Sequence, residues 1–135
     1  MLTKKEVGTM FLKFDSQKER SQYGGTCFIE LQFCKCPKGT DLKTILSDYN
    51  FWLDDSLYVY GDDPFYAVYG PVFGNGIHPD MTESYPDPWG VTYYRADQID
   101  DIIERAEKKK PIGYKSLTEW LNEAKKYNGI IIHGM

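Results

Sequence analysis

His78 stands in the run His78-Pro79-Asp80, with a carboxylate two residues after the imidazole. A histidine oriented by a carboxylate can serve as a general base. Glu83 and Asp87 follow in the same stretch, GNGIHPDMTESYPDPWG (74–90), so the segment could also surround a divalent metal with oxygen donors. Either arrangement would describe a small hydrolase drawing on His78 with Asp80, Glu83 or Asp87. Against it, neither Ser nor Cys sits in a recognisable nucleophile elbow, and a single loop histidine is ordinarily just exposed. His133, two residues before the last, is a poor place for a fixed catalytic group.

Cys27, Cys34 and Cys36 are spaced C-x6-C-x-C. Zinc would need a fourth ligand, and neither histidine lies at finger spacing. The thiols are therefore expected to be structural, with Cys27 facing inward as a small apolar residue. Their odd number excludes a complete internal disulfide framework. The acidic pairs Asp54-Asp55, Asp62-Asp63 and Asp100-Asp101 lack the alternating oxygen ligands and closing Glu of a calcium loop. Gly74-Asn75-Gly76 lacks the strand–helix context of a phosphate loop. Glycosidase chemistry would need two carboxylates facing one cleft, which spacing alone does not provide. No catalytic set, metal or cofactor is expected.

What stands out is acid placed among aromatic rings. Residues 49–73 hold Tyr49, Phe51, Trp52, Tyr58, Tyr60, Phe65, Tyr66, Tyr69 and Phe73, interleaved with Asp54, Asp55, Asp62 and Asp63. Tyr and Trp anchor interfaces because they bury much area with few rotamers to freeze. Carboxylates around them would meet Lys and Arg of a partner. The candidate contact residues are Asp54, Asp55, Tyr58, Tyr60, Asp62, Asp63 and Tyr66, joined by Asp80, Glu83, Asp87 and Trp89 from the 74–90 stretch. The plainer reading assigns many of these rings to the core and the carboxylates to a solvated face.

Charge is unevenly distributed. Residues 41–104 carry 2 Lys+Arg against 13 Asp+Glu, whereas residues 1–40 carry 7 against 4 and residues 105–135 carry 7 against 3. The acidic middle argues against a nucleic-acid surface there, since phosphate binding needs concentrated cations. It suits a basic partner. No apolar run approaches the ~20 residues of a membrane span, and MLTKKEVG has no signal-peptide core. A cytoplasmic protein is expected.

At 135 residues the chain suits one domain. Val7, Met10, Phe11 and Phe14 predict a helix over 3–14, begun by a Thr3–Glu6 capping box, and polar residues 15–25 predict a turn. TCFIELQFC (26–34) alternates as a half-buried strand. A short helix should follow Thr40, and residues 51–73 read as short strands around Gly61-Asp62-Asp63-Pro64. GVTYY (90–94) predicts a strand and ADQIDDIIERAEKK (96–109) a helix. A Ser116–Glu119 capping box opens another helix that ends at Asn128-Gly129, and IIIH closes as a buried strand. The sum is an α+β single domain, residues 1–135, with a small, mainly antiparallel sheet and about four helices. The 74–90 loop is longer than most connections, which favours function over mere linkage.

GVTYYRADQIDDIIERA and PIGYKSLTEWLNEAKKYNGIIIHGM together resemble small bacterial immunity proteins, which neutralise toxin domains in contact-dependent growth inhibition and related polymorphic-toxin systems. The likeness lies in residues 90–135, in a strand–helix pair and the W-L-x-x-A-x-x-Y-N-G helix end. Such proteins have no fixed interface motif, so no binding residue carries over. The resemblance implies a non-enzymatic, cytoplasmic inhibitor whose partner is a cognate toxin domain, often a basic nuclease, held by occlusion. Nucleic acid and membrane are not expected partners.

Overall fold

The computed structural model of the chain describes residues 10–47, 50–61 and 64–134. The fold is α+β. Among the described residues six strands form one antiparallel sheet: β1 (Phe28–Phe33), β2 (Leu57–Tyr60), β3 (Gly76–Ile77), β4 (Glu83–Ser84), β5 (Val91–Tyr94) and β6 (Ile130–His133). Their order across the sheet is β2-β1-β6-β5-β3-β4. Among the described residues there are five α-helices: α1 (Gln17–Gly24), α2 (Leu42–Ile45), α3 (Phe65–Phe73), α4 (Ile99–Lys109) and α5 (Tyr114–Ala124). A 3-10 turn, Ala96–Gln98, leads into α4. No described helix is long and apolar enough to cross a membrane.

Strand periodicity sorts the core into two faces. Ile29, Leu31 and Phe33 of β1, Leu57 and Val59 of β2, Ile130 and Ile132 of β6 and Tyr94 of β5 share one core cluster with α3, α4 and α5. The acid-first, base-last α4 presents Ile99, Ile102, Ile103 and Ala106 to it, and α5 presents Leu117, Trp120, Leu121 and Ala124. Trp120 stacks on Phe33 at 4.4 Å and donates Nε1–H to the Asp55 carbonyl. The reverse face is covered as well. Phe28 packs there with Leu12, Phe14 and Tyr58. Ile131, Val91, Tyr93 and Ile77 meet Cys34, Ile45 and Leu46. β1 is thus buried along its whole length, not half-buried as its alternation predicts.

Three expectations fail for identifiable reasons. Residues 10–14 run extended, with Leu12 bridging Tyr58 through 2.8 and 3.0 Å backbone bonds, because the second face of the sheet needs a cover. The rest of the expected N-terminal helix lies outside the described residues. The polar stretch after it is a helix, α1, capped by Ser16, which accepts from the Glu19 amide while the Glu19 carboxylate accepts from the Asp15 amide. Residues 65–73 form α3 and not a strand, because Phe65, Tyr69, Val72 and Phe73 fall on one helical face and bury there. Two details change too. α5 starts at Tyr114 behind Gly113, so Ser116 is no cap and the helix ends at Ala124. Cys27 is exposed, not inward, while Cys34 is buried.

Candidate functional site

Residues 78–90 wrap the β4 edge of the sheet. Gly76 and Ile77 pair with Ser84 and Glu83, so His78–Thr82 is a tight hairpin. Inside it the His78 amide donates to the Thr82 carbonyl and the Met81 amide to the His78 carbonyl. The Asp80 carboxylate accepts from the Thr82 hydroxyl (2.6 Å) and amide (3.0 Å), an Asx turn. These Thr82 bonds, more than the nearby His78, hold the exposed Asp80 carboxyl below its ordinary range. Glycine is required at 76: a Cβ would lie 2.5 Å from Thr92 Cγ2 and 2.7 Å from the Tyr94 ring.

Beyond the hairpin, Pro86 is buried and Tyr85 lies across Gly70 of α3, where a Cβ would come within 3.1 Å of its ring. Asp87 organises the remainder. Its amide donates to Thr92 Oγ1 at 3.0 Å, and its carboxylate accepts the Trp89 amide at 2.9 Å. Gly134 at the end of β6 donates to the Gly90 carbonyl at 2.7 Å. This tethered backbone carries Trp89, 83% exposed, with Tyr85 at 53% and Met81 at 45%. Three large apolar side chains thus stand in water on a backbone held by hydrogen bonds. Among the described residues no Lys or Arg forms an ion pair with Asp80, Glu83 or Asp87.

The same loop encloses an open groove of about 520 Å³ lined by His78, Asp80, Thr82, Ser84, Tyr85 and Asp87. His78 does not use Asp80 as its orienting carboxylate. Its Nε2 lies 2.8 Å from Ser84 Oγ, and its Nδ1 faces Thr92 Oγ1 at 3.5 Å. A serine–imidazole contact is therefore present where sequence spacing showed none, because hairpin pairing is what brings residue 84 beside residue 78. Among the described residues no group of three or more His, Cys, Asp or Glu side chains could hold a metal ion.

The other candidate contacts are elsewhere. Asp54 and Asp55 precede β2, the opposite edge of the sheet, five strand spacings or roughly 24 Å from β4. Asp54 accepts from Gln17 Nε2 and Asp55 pairs with Lys35 at 2.6 Å. They line a second groove, about 540 Å³, with Asp15, Glu119 and Glu123, three carboxylates from distant segments that the sequence does not associate.

The aromatic residues of this region turn mostly inward. Tyr58 has no exposed surface and donates to the Leu53 carbonyl at 2.6 Å, so it is core and not a contact anchor. Burial, and then the Glu30 carboxylate, raise its phenol well above the usual range. Tyr60 is partly covered by Phe28 and Tyr23. Tyr66 is partly buried on α3; burial and then Asp87 push its phenol up to about 12. Asp62 and Asp63 lie outside the described residues.

A residue absent from the expectations builds this edge. Glu30 of β1 is buried and accepts the Trp52 amide (2.8 Å), the Leu53 amide (2.8 Å) and the Ser56 hydroxyl (2.7 Å). That latch holds Trp52 at φ 67, and the Arg20 guanidinium sits 4.1 Å over its ring. A carboxylate inside a strand whose other residues, Gln32 apart, are all apolar is the sequence signal that could have found it.

The fold and the loop define an α+β chain with a presented aromatic–acidic surface. Comparison with family models, with curated proteins and with solved structures finds no match for this chain.

Proposed function

We propose that this chain is a binding inhibitor of the immunity-protein type, which neutralises a cognate basic toxin domain by occluding it with the 80–89 loop. One observation carries the reading: Trp89 is 83% exposed on a backbone tied down at Asp87 and Gly90, among carboxylates with no cationic partner among the described residues. An anchor on a tethered backbone spares the loop's ordering cost on docking, and carboxylates without a cationic partner can meet partner Arg or Lys without first breaking an ion pair. Tyr85, Met81, Asp80, Glu83 and Asp87 complete the surface; Tyr66 supports it from α3. Asp54, Asp55 and Tyr60 become peripheral. The protein acts in the cytoplasm, where such toxins do their damage, and needs no cofactor.

Calorimetric titration against a basic toxin domain encoded beside this chain tests the reading. Nanomolar binding that weakens with salt is expected. Binding that is absent, or that survives Trp89→Ala with Glu83→Lys, would remove it.

The Ser84–His78 contact favours a second reading, a small hydrolase with Ser84 as nucleophile and His78 as base. The imidazole's other nitrogen faces a threonine hydroxyl, however, and that hydroxyl already accepts the Asp87 amide. Hydrolysis of p-nitrophenyl esters that disappears in Ser84→Ala would support this alternative. Equal background rates in both proteins would dismiss it.

A further inference from the structure

Cys34 follows the last residue of β1, and Cys36 stands two residues on, where the chain bends. Both line one pocket of about 270 Å³ with Gln32, Asn50, Leu53 and Ile131, and both belong to the apolar cluster on the reverse face of the sheet. Cys34 is buried and Cys36 is partly open to solvent. Adjacent on that pocket lining, the two cysteines are near enough for Cys36 to influence the titration of Cys34. Cys27, by contrast, is exposed.

We propose that Cys34 and Cys36 form a redox-active pair that low-molecular-weight disulfides oxidise to a reversible intramolecular disulfide. The division of labour follows from exposure. The Cys36 thiolate attacks glutathione disulfide, forming a mixed disulfide and releasing one glutathione thiolate, which takes up a proton. Cys34 then gives its proton to solvent and attacks the Cys36 sulfur. The Cys34–Cys36 bond forms and the second glutathione leaves. Two protein thiols lose two electrons, and one glutathione disulfide becomes two glutathiones.

Burial pushes the Cys34 thiol up to about 11; the Cys36 amide opposes this and the neighbouring Cys36 thiol adds to it. Cys34 is therefore the resolving and not the attacking group. Residues two apart in extended chain span roughly 7 Å between Cα atoms, just beyond the reach of about 4.4–6.8 Å that disulfides use. Closure thus needs a small contraction, and the chain can supply it. The Cys34 backbone is fixed by bonds to Gly129 and Asn128, but the ladder of β1 stops at Phe33 and Cys36 lies in a bend. A tight, strained ring of this kind is easily reduced again, which is the property of a switch and not of a staple. The residue between the two cysteines is Lys35, whose ammonium pairs with Asp55 at 2.6 Å and lies 5.8 Å over the Tyr127 ring.

The test uses the full chain carrying Cys27→Ser, incubated with glutathione disulfide and read by intact mass and peptide mapping. The expected product has lost two hydrogens, maps to Cys34–Cys36, shows no free thiol after unfolding, and returns to the starting mass with dithiothreitol. Adding Cys34→Ser should trap a stable single glutathionyl adduct on Cys36. A persistent adduct on Cys36 with Cys34 still present, or two free thiols after prolonged exposure, would overturn the proposal.

Discussion

Two stretches of this chain combine acid with aromatic residues, and the fold treats them oppositely. In residues 50–60, Glu30 reaches out of the sheet to bind successive backbone amides, Tyr58 turns into the core, Trp52 lies under Arg20, and Asp55 is neutralised by Lys35, so that among the rings only Phe51, against His133, keeps half its surface in water. In residues 78–90 the tethers are made within the loop or to β5 and β6, so the backbone is fixed while Trp89, Tyr85 and Met81 remain in water. The difference lies in where the anchoring group sits. A buried carboxylate within the sheet pulls a loop onto the sheet, whereas Asp87 at the edge shapes its loop without covering its rings. Composition does not distinguish the two regions; the location of the hydrogen-bond anchor does.

The contrast can be broken from either side. The largest effect is expected at the exposed loop: Trp89→Ala with Tyr85→Ala should weaken binding to the basic toxin domain at least about 100-fold, since central aromatic anchors are worth about 2 kcal/mol or more each. Folding stability should stay within roughly 0.5 kcal/mol of wild type, as for other exposed positions. Glu30→Ala should do the reverse. It orphans a buried hydroxyl and two partly buried amides, so urea denaturation should show a loss of about 2 kcal/mol or more, with residual folded protein still binding the toxin through residues 78–90.

Gly76→Ala should cost about 1–3 kcal/mol by overpacking against Thr92 and Tyr94. Because it distorts the hairpin, it should weaken binding as well, which Glu30→Ala should not. A milder signature belongs to His133, beside Glu30 across β1 and β6. Burial lowers its pKa, partly offset by the Glu30 charge. The unfolded chain therefore binds the proton more readily. The stabilisation from a neutral His133 is complete above the unfolded value near 6.5 and is lost as pH falls below it. Thermal melting should decline between pH 7.5 and 5, and His133→Phe should flatten that decline. Smallest of all, Asp54→Lys should change toxin affinity by under about threefold, as expected for a peripheral surface charge.

Much of the frame is legible in the sequence where one pattern dominates. α4 is read correctly because Ile99, Ile102, Ile103 and Ala106 keep a helical period with the charges in the favourable sense. Strands β5 and β6 are short, apolar and bounded by turn residues. α3 is hidden because Gly70 and Pro71 argue against a helix, while tertiary burial of Phe65, Tyr69 and Phe73 overrides that local preference. α1 carried a usable signal, Ser16 followed by Glu19, but no apolar stripe to accompany it. At the site, the 74–90 stretch stands out by its residue types, but it is not one long loop, because β3 and β4 pair within it. The Ser84–His78 contact and the convergence of Asp15, Glu119 and Glu123 on Asp54 depend on strand pairing and helix packing between distant segments. The linear charge map misleads for the same reason, since Lys35 and Lys125 from the basic ends pair with Asp55 and Asp100 of the acidic middle.

The most direct test is amide hydrogen exchange, followed residue by residue, on the protein alone and bound to the basic toxin domain. Slowed exchange in residues 78–90, with 50–56 unchanged, is the expected outcome. Protection at 50–56 and along α5, with 78–90 exchanging as in the free protein, would contradict the assignment of the binding surface and place it at the other edge of the sheet.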